Sequence, residues 1–204
     1  MLEIKDYELY SRKNILLRID ELRVNEGEFI YIHSSNSTGK SLLLKSLAGI
    51  YKNFKGVISI KNQLLDYKDF RGKVRIISEE NRLIPSSNVL DNIIFPDEKA
   101  TEQQKIRIFE MLSEIKSEHL IHVPCEQLSF SEVKFIELIR ACIHYPLLLL
   151  IDDLDNYFDE NRFPHAKNLL NRLNASGTII ISTGKTPSQK IKTYTINNNI
   201  LEQI

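Results

Sequence analysis

The feature that most constrains this chain is a strand, a polar loop and a helix joined at Gly39-Lys40. Phe29-Ile30-Tyr31-Ile32 is a short β-branched and aromatic run with turn-like Asn25-Glu26-Gly27-Glu28 before it. Ser34 to Thr38 is polar. From Lys40 to Ala48 the residues are good helix formers, and Gly49 ends them. The stretch Ser34-Ser35-Asn36-Ser37-Thr38-Gly39-Lys40-Ser41 fits the phosphate-loop pattern G-x-x-x-x-G-K-[ST], except that Ser34 replaces the first glycine. Loop N–H groups and the positive end of the helix dipole favour an anion there. In such a loop Lys40 reaches the β/γ-phosphates of a nucleotide and the Ser41 hydroxyl sits on Mg²⁺. The competing reading is a plain helix start with a surface lysine. Glycine at position 34 would allow close backbone approach, and serine resists it.

The order of elements extends the pattern. Residues 2–33 read as β, with Ile15 to Ile19 one of the strands. Val57 to Ile60 and Val74 to Ser78 are strands. Residues 101–117 are a polar amphipathic helix, and Ser131 to Tyr145 a second one stopped by Pro146. Residues 160–174 are helical. Leu147 to Ile151 and Gly177 to Ser182 are apolar on both faces, as buried parallel strands are. Lys192 to Ile204 reads as a β-hairpin turning at Asn197-Asn198-Asn199. Strand–helix alternation predicts an α/β sheet with helical cover, and the helical middle, roughly 80–145, reads as an insertion between sheet strands. A chain of 204 residues is long enough for a substantial core without staples.

Composition narrows the function classes. Lys+Arg and Asp+Glu are both 27, so the net charge is zero and bulk electrostatic binding to nucleic acid or anionic lipid is disfavoured. No run approaches the roughly 20 apolar residues of a membrane span. The first residues hold no basic stretch followed by an apolar one, so no leader peptide is expected. Cys125 and Cys142 lie in unrelated surroundings and read as two thiols, with one disulfide as the alternative.

A second chemical signal lies far along the chain. Leu148-Leu149-Leu150-Ile151 runs into Asp152-Asp153, which places two carboxylates at the C-terminal end of a buried strand. Open α/β sheets bind ligands at that edge. Acidic residues also end strands for solubility, so the pair gains meaning only beside Lys40.

Taken in order, these motifs resemble the ATP-binding cassette (ABC) family over nearly the whole chain. That family's loop matches at Asn36, Gly39, Lys40 and Ser41 and differs at Ser34 and Ser37. The resemblance implies that Tyr10 stacks on adenine, where plain packing is the alternative. It implies that Asn36, Ser37, Thr38, Gly39, Lys40, Ser41 and Leu42 hold the nucleotide. Glu79 stands where the family has a glutamine that contacts nucleotide and metal; alternatively Glu79-Glu80-Asn81 is a solvated turn. Leu128-Ser129-Phe130-Ser131-Glu132 stands where the family has leucine-serine-glycine-glycine-glutamine, so Ser129 and Ser131 would face a nucleotide on an opposite subunit. Ser129-x-x-Glu132 is also a capping box by itself. Asp152, with Ser41 and Glu79, would hold the metal, and Asp153 stands where a glutamate activates water. Asp159 ends the following loop. Gly184 stands where a histidine would contact the γ-phosphate, and none of the five histidines follows that strand.

The resemblance implies an α/β P-loop NTPase fold. Residues 1–204 would form one ABC-type nucleotide-binding domain, with a mixed β core, an α/β sheet and a small helical subdomain, roughly 83–145, inserted in the RecA-like core. Its implied ligands are ATP and Mg²⁺. Its implied partners are a polytopic membrane permease-like protein, docked on the helical insertion around 83–125, and a second cassette as homodimer or heterodimer; nucleic acid is not among them. The implied location is cytoplasmic, peripheral on the cytoplasmic face of the inner or plasma membrane through that permease. The expected activity is slow ATP hydrolysis driving dimer closure and opening, with Lys40 and Asp153 as the catalytic pair. The alternatives are a dead cassette acting as a clamp, the degenerate half of a heterodimer, or an unrelated P-loop NTPase. On sequence alone, Gly184→His with Asp153→Glu is expected to raise turnover.

Overall fold

A computed structural model describes residues 1–34, 38–66, 68–95, 97, 99–185 and 191–204. Among the described residues ten strands form one sheet. β1 (Leu2–Ser11), β2 (Asn14–Val24) and β4 (Phe54–Ile60) pair antiparallel, with the short β5 (Gln63–Leu64) at the edge. β3 (Phe29–His33), β6 (Val74–Ile77), β7 (Leu148–Ile151) and β8 (Ile179–Gly184) are parallel. β9 (Lys192–Asn197) runs parallel to β3 and turns back through β10 (Ile200–Gln203), which joins the parallel half to β2. The order is β5-β4-β1-β2-β10-β9-β3-β8-β7-β6. The mixed α/β fold expected from the sequence is the one observed.

Alternation along the parallel strands builds two cores on the two faces of this sheet. Leu148, Leu150, Ile179, Ile181, Ile30 and Ile32 face the side of α1 (Lys40–Leu47), where they pack with the antiparallel strands. Leu149, Ile151 and Ile180 face the helices α2 (Val89–Ile94), α3 (Glu102–Glu114), α4 (Phe130–His144) and α5 (Phe163–Ala175). Parallel strands covered on both faces are apolar throughout, which is why the runs at 148–151 and 179–181 carry no alternation of polarity.

Helix ends follow local chemistry. Thr101 and Gln104 form a capping box that starts α3. Ser129 and Glu132 do the same for α4, so the helix starts at Phe130, one residue earlier than the sequence suggests. It stops at His144 because Tyr145 is left-handed, with φ 43°, ahead of Pro146. α5 begins at Phe163 rather than at 160, since Pro164 is tolerated in the first turn and not deeper. Both cysteines are buried and free. No helix among the described residues is long and apolar enough to cross a membrane.

Candidate functional site

The site lies at the carboxyl ends of the parallel strands, where β3, β7 and β8 stop together. Ile151 pairs with Ser182, and His33 with Gly184. The backbone must turn sharply from β3 into α1. Gly39 makes the turn at φ 93°, and a Cβ there would press on Leu16 and Leu9 at 3.3 Å. A side chain at position 39 would therefore be strained by both conformation and space.

Lys40 opens α1 and is buried. Its Nζ donates to the Ser34 carbonyl at 2.7 Å and to the Ser34 Oγ at 2.9 Å. The serine that replaces the first loop glycine thus holds the lysine, and its hydroxyl also bonds Thr38. Burial lowers the pKa of Lys40, and the charges of Asp153 and Asp152 oppose that shift. A cavity of about 510 Å³ opens here, lined by Ser11, Leu16, Thr38, Gly39, Lys40, Ser41, Leu42 and Asp153.

The Asp152 carboxylate and the backbone of Asp153 are held by a residue that the sequence did not single out. Thr183, fully buried at the end of β8, donates its Oγ1 hydrogen to Asp152 Oδ1 at 2.8 Å. Thr183 Oγ1 also accepts the backbone N–H of Asp153 at 2.9 Å. Asp153 is left-handed, with φ 48° and ψ 52°, a conformation that aspartate tolerates better than most residues. This turn points the chain into the short 3₁₀ segment Leu154–Asn156. Burial, and then the neighbouring Asp152 charge, raise the pKa of Asp153 above its ordinary 3.8. Ser41 and Asp152 offer hard oxygen donors of the type that alkaline-earth cations take. Among the described residues no group of three or more His, Cys, Asp or Glu could hold a metal alone. The donor set therefore suits a cation that takes its remaining ligands from phosphate and water.

The other expected residues are distributed around this centre. Asn36 and Ser37 lie outside the described residues. Tyr10 is not among the residues lining the cavity, whereas its neighbour Ser11 is. Its hydroxyl donates to Glu8, and the Lys55 ammonium stands 5.5 Å from its ring centroid. Glu79 is exposed just beyond β6. At the start of α4, Glu132 accepts the Ser129 N–H at 2.8 Å and the Ser129 hydroxyl at 2.6 Å. Ser131 Oγ accepts from Arg162. Phe130 is 49% exposed and meets Tyr157 edge-on at 5.8 Å.

Position 184 differs most from the sequence expectation. A Cβ built on Gly184 overlaps the Tyr31 phenol oxygen and the Asp155 carboxylate, and falls 2.7 Å from Tyr31 Cζ. Tyr31 Oη donates to Asp155 Oδ2 at 2.7 Å, and the backbone N–H of Lys185 donates to the same oxygen at 3.2 Å. The space of a side chain at 184 is thus already filled. A histidine at 184, as in the expected pair Gly184→His with Asp153→Glu, would first have to displace Tyr31 and Asp155. A bulky Tyr31 on β3 and a glycine on the adjacent β8 were the available sequence signal.

The sequence profile of the ABC transporter family matches residues 17–156. The chain belongs to the ABC transporter family. It is 28% identical over 191 residues to the cell division ATP-binding protein FtsE of Streptococcus pneumoniae, covering 89% of this chain and 83% of that protein. It is 28% identical over 179 residues to the methionine import ATP-binding protein MetN of Francisella tularensis, covering 83% of this chain and 51% of MetN. Its fold matches that of cbiO1 from Clostridium perfringens, described as part of the ABC transporter complex cbiONQ. The TM-score is 0.78 at 22% identity, over 98% of this chain and 86% of that one.

Proposed function

We propose that this ABC-family chain is the ATP-binding subunit of a membrane complex, binding Mg-ATP in the cavity of Lys40, Ser41 and Asp153 and hydrolysing it slowly. The observation that carries this reading is the meeting of Lys40 and Ser41 with the Thr183-braced pair Asp152-Asp153 at one strand edge. Lys40 would exchange its bonds to Ser34 for phosphate oxygens. Thr38, Gly39, Ser41 and Leu42 would follow the phosphates with backbone N–H groups, joined by Asn36 and Ser37, and Tyr10 would meet the base. Ser41, Asp152 and Glu79 would hold Mg²⁺, which supplies charge neutralisation at the phosphates. Asp153 would orient the attacking water and accept its proton, with a pKa moved toward the working pH by burial.

The slow rate follows from placement. Asp153 is one methylene shorter than glutamate, and Gly184 brings no side chain. Phosphoryl transfer depends on positioning and charge, so each change costs rate. Ser129 and Ser131, now bonded to Glu132 and Arg162, would have to turn outward to meet a nucleotide on a second cassette. The helical residues around 83–145 would form a subdomain whose part around 83–125 docks a polytopic membrane permease, holding the chain at the cytoplasmic face. FtsE and MetN, by their names, act in cell division and methionine import, and the same kind of assembly is proposed for this chain.

The test is ATP turnover by the pure protein at saturating Mg-ATP. Turnover abolished by Lys40→Ala supports the reading. Nucleotide binding without turnover would leave an ATP-dependent clamp or one half of a heterodimer. Absence of binding would overturn it.

A further inference from the structure

The charges around the cavity point beyond the residues discussed above. Asp152, Asp153 and Asp155 act on one another there, and the ammonium groups of Lys40 and Lys185 act on the same cluster. A nucleotide triphosphate adds several negative charges to a site that already holds three carboxylates. One buried lysine and the Mg²⁺ of the nucleotide together leave part of that negative charge unbalanced in a partly desolvated cleft. Lys185 is exposed and follows directly on Gly184, the last residue of β8, which pairs with His33. Its position is fixed from below: Asp155 accepts its backbone N–H at 3.2 Å and is itself held by the phenol of the buried Tyr31 at 2.7 Å. The volume above Gly184 is used by this Tyr31–Asp155 clamp.

We propose that Lys185 is the second phosphate-binding cation of the site, facing the terminal phosphate, with Tyr31 and Asp155 as the residues that position it. The assignment to the terminal phosphate follows from the strand order: Lys185 leaves β8 between the end of β3, which leads to Lys40, and the end of β7, where Asp153 is bonded to Thr183 of β8. This inference rests on the nucleotide reading above and adds a residue to it.

The experiment compares binding of Mg-ATP and Mg-ADP by calorimetry in the wild-type chain and in three variants. Lys185→Ala is expected to weaken ATP about tenfold, the value of one charge-assisted contact at an exposed site, and to leave ADP within about twofold. Lys185→Arg should keep the ATP preference, since it keeps the charge. Asp155→Ala should lower the ATP preference too, and Lys185→Ala on top of it should add less than it does alone, because the two act as one unit. Equal losses of ATP and ADP, or no loss of either, would overturn the role of Lys185 while leaving the nucleotide site standing. If the wild-type chain binds neither nucleotide, the site reading fails and this proposal with it.

Discussion

At the residue scale, position 184 shows how a substitution that looks like a repair meets a filled space. The Tyr31 phenol and the Asp155 carboxylate occupy the volume above Gly184. Gly184→His must push them aside, and overpacking of this kind costs about 1–3 kcal/mol. The variant is expected to unfold at lower urea with no gain in turnover, and Tyr31→Ser in the same chain should restore the midpoint. Asp153 gives a second prediction. Its pKa is raised by burial and by Asp152, so the fold favours its protonated form. That favourable contribution is present below the ordinary value of 3.8 and is lost as pH rises through the raised pKa. At neutral pH the ionised Asp153 is therefore a liability that the proposed proton-accepting role requires. Asp153→Asn should raise the urea midpoint at pH 7, and the gain should shrink as pH falls toward 4; a gain independent of pH would refute the account.

At the element scale, α4 is tied to the loop that follows β6 by a buried cation. Lys134 is fully buried, and its Nζ donates to Ser78 O at 2.5 Å, to Glu80 O at 3.3 Å and to Glu137 Oε2 at 3.1 Å. Glu137 Oε1 accepts the Arg82 N–H at 2.8 Å. The backbone on either side of Glu79 is thereby tied to α4. Lys134→Met leaves a buried carboxylate without its cation, which costs about 3–5 kcal/mol. Replacing Glu137 with Leu in the same chain should recover part of that loss in urea unfolding. This pair marks the limit of what the sequence makes legible. The Ser129-x-x-Glu132 box and the spacing of Lys134 and Glu137 are local and visible in the chain. That Lys134 reaches the carbonyls of Ser78 and Glu80 depends on how β6 and α4 pack. The same holds in the site: Lys40, Ser41, Asp152 and Asp153 stand out by their elements, whereas Thr183 and Asp155 matter only because β8 lies beside β7.

At the scale of the whole molecule, one sheet backs two cores. Leu149 faces the helices and Leu150 faces α1 and the antiparallel strands, from adjacent positions of the same four-residue strand. Loss of either core removes the cover from one face of β7, so the halves should not melt separately. Cys125 and Cys142 both lie in the helical core, and burial raises their pKa values to about 11 and about 12. Neither should react with iodoacetamide at pH 8 while the fold is closed, since the thiolate is the reactive form. Tyr7 and Tyr194 lie in the other core and Tyr157 in the helical one, and the chain has eight tyrosines and no tryptophan, so tyrosine emission follows both sides of the sheet. Cysteine labelling, tyrosine emission and far-ultraviolet dichroism should then share one urea midpoint, as a two-state transition requires. Leu149→Ala and Leu150→Ala should each lower that shared midpoint, by about 2–5 kcal/mol in stability. Labelling of the cysteines together with only part of the tyrosine change, ahead of the rest, would instead mean that the helical layer opens alone. The grip of Lys134 on Ser78 and Glu80 would then be too weak to bind the layers into one unit.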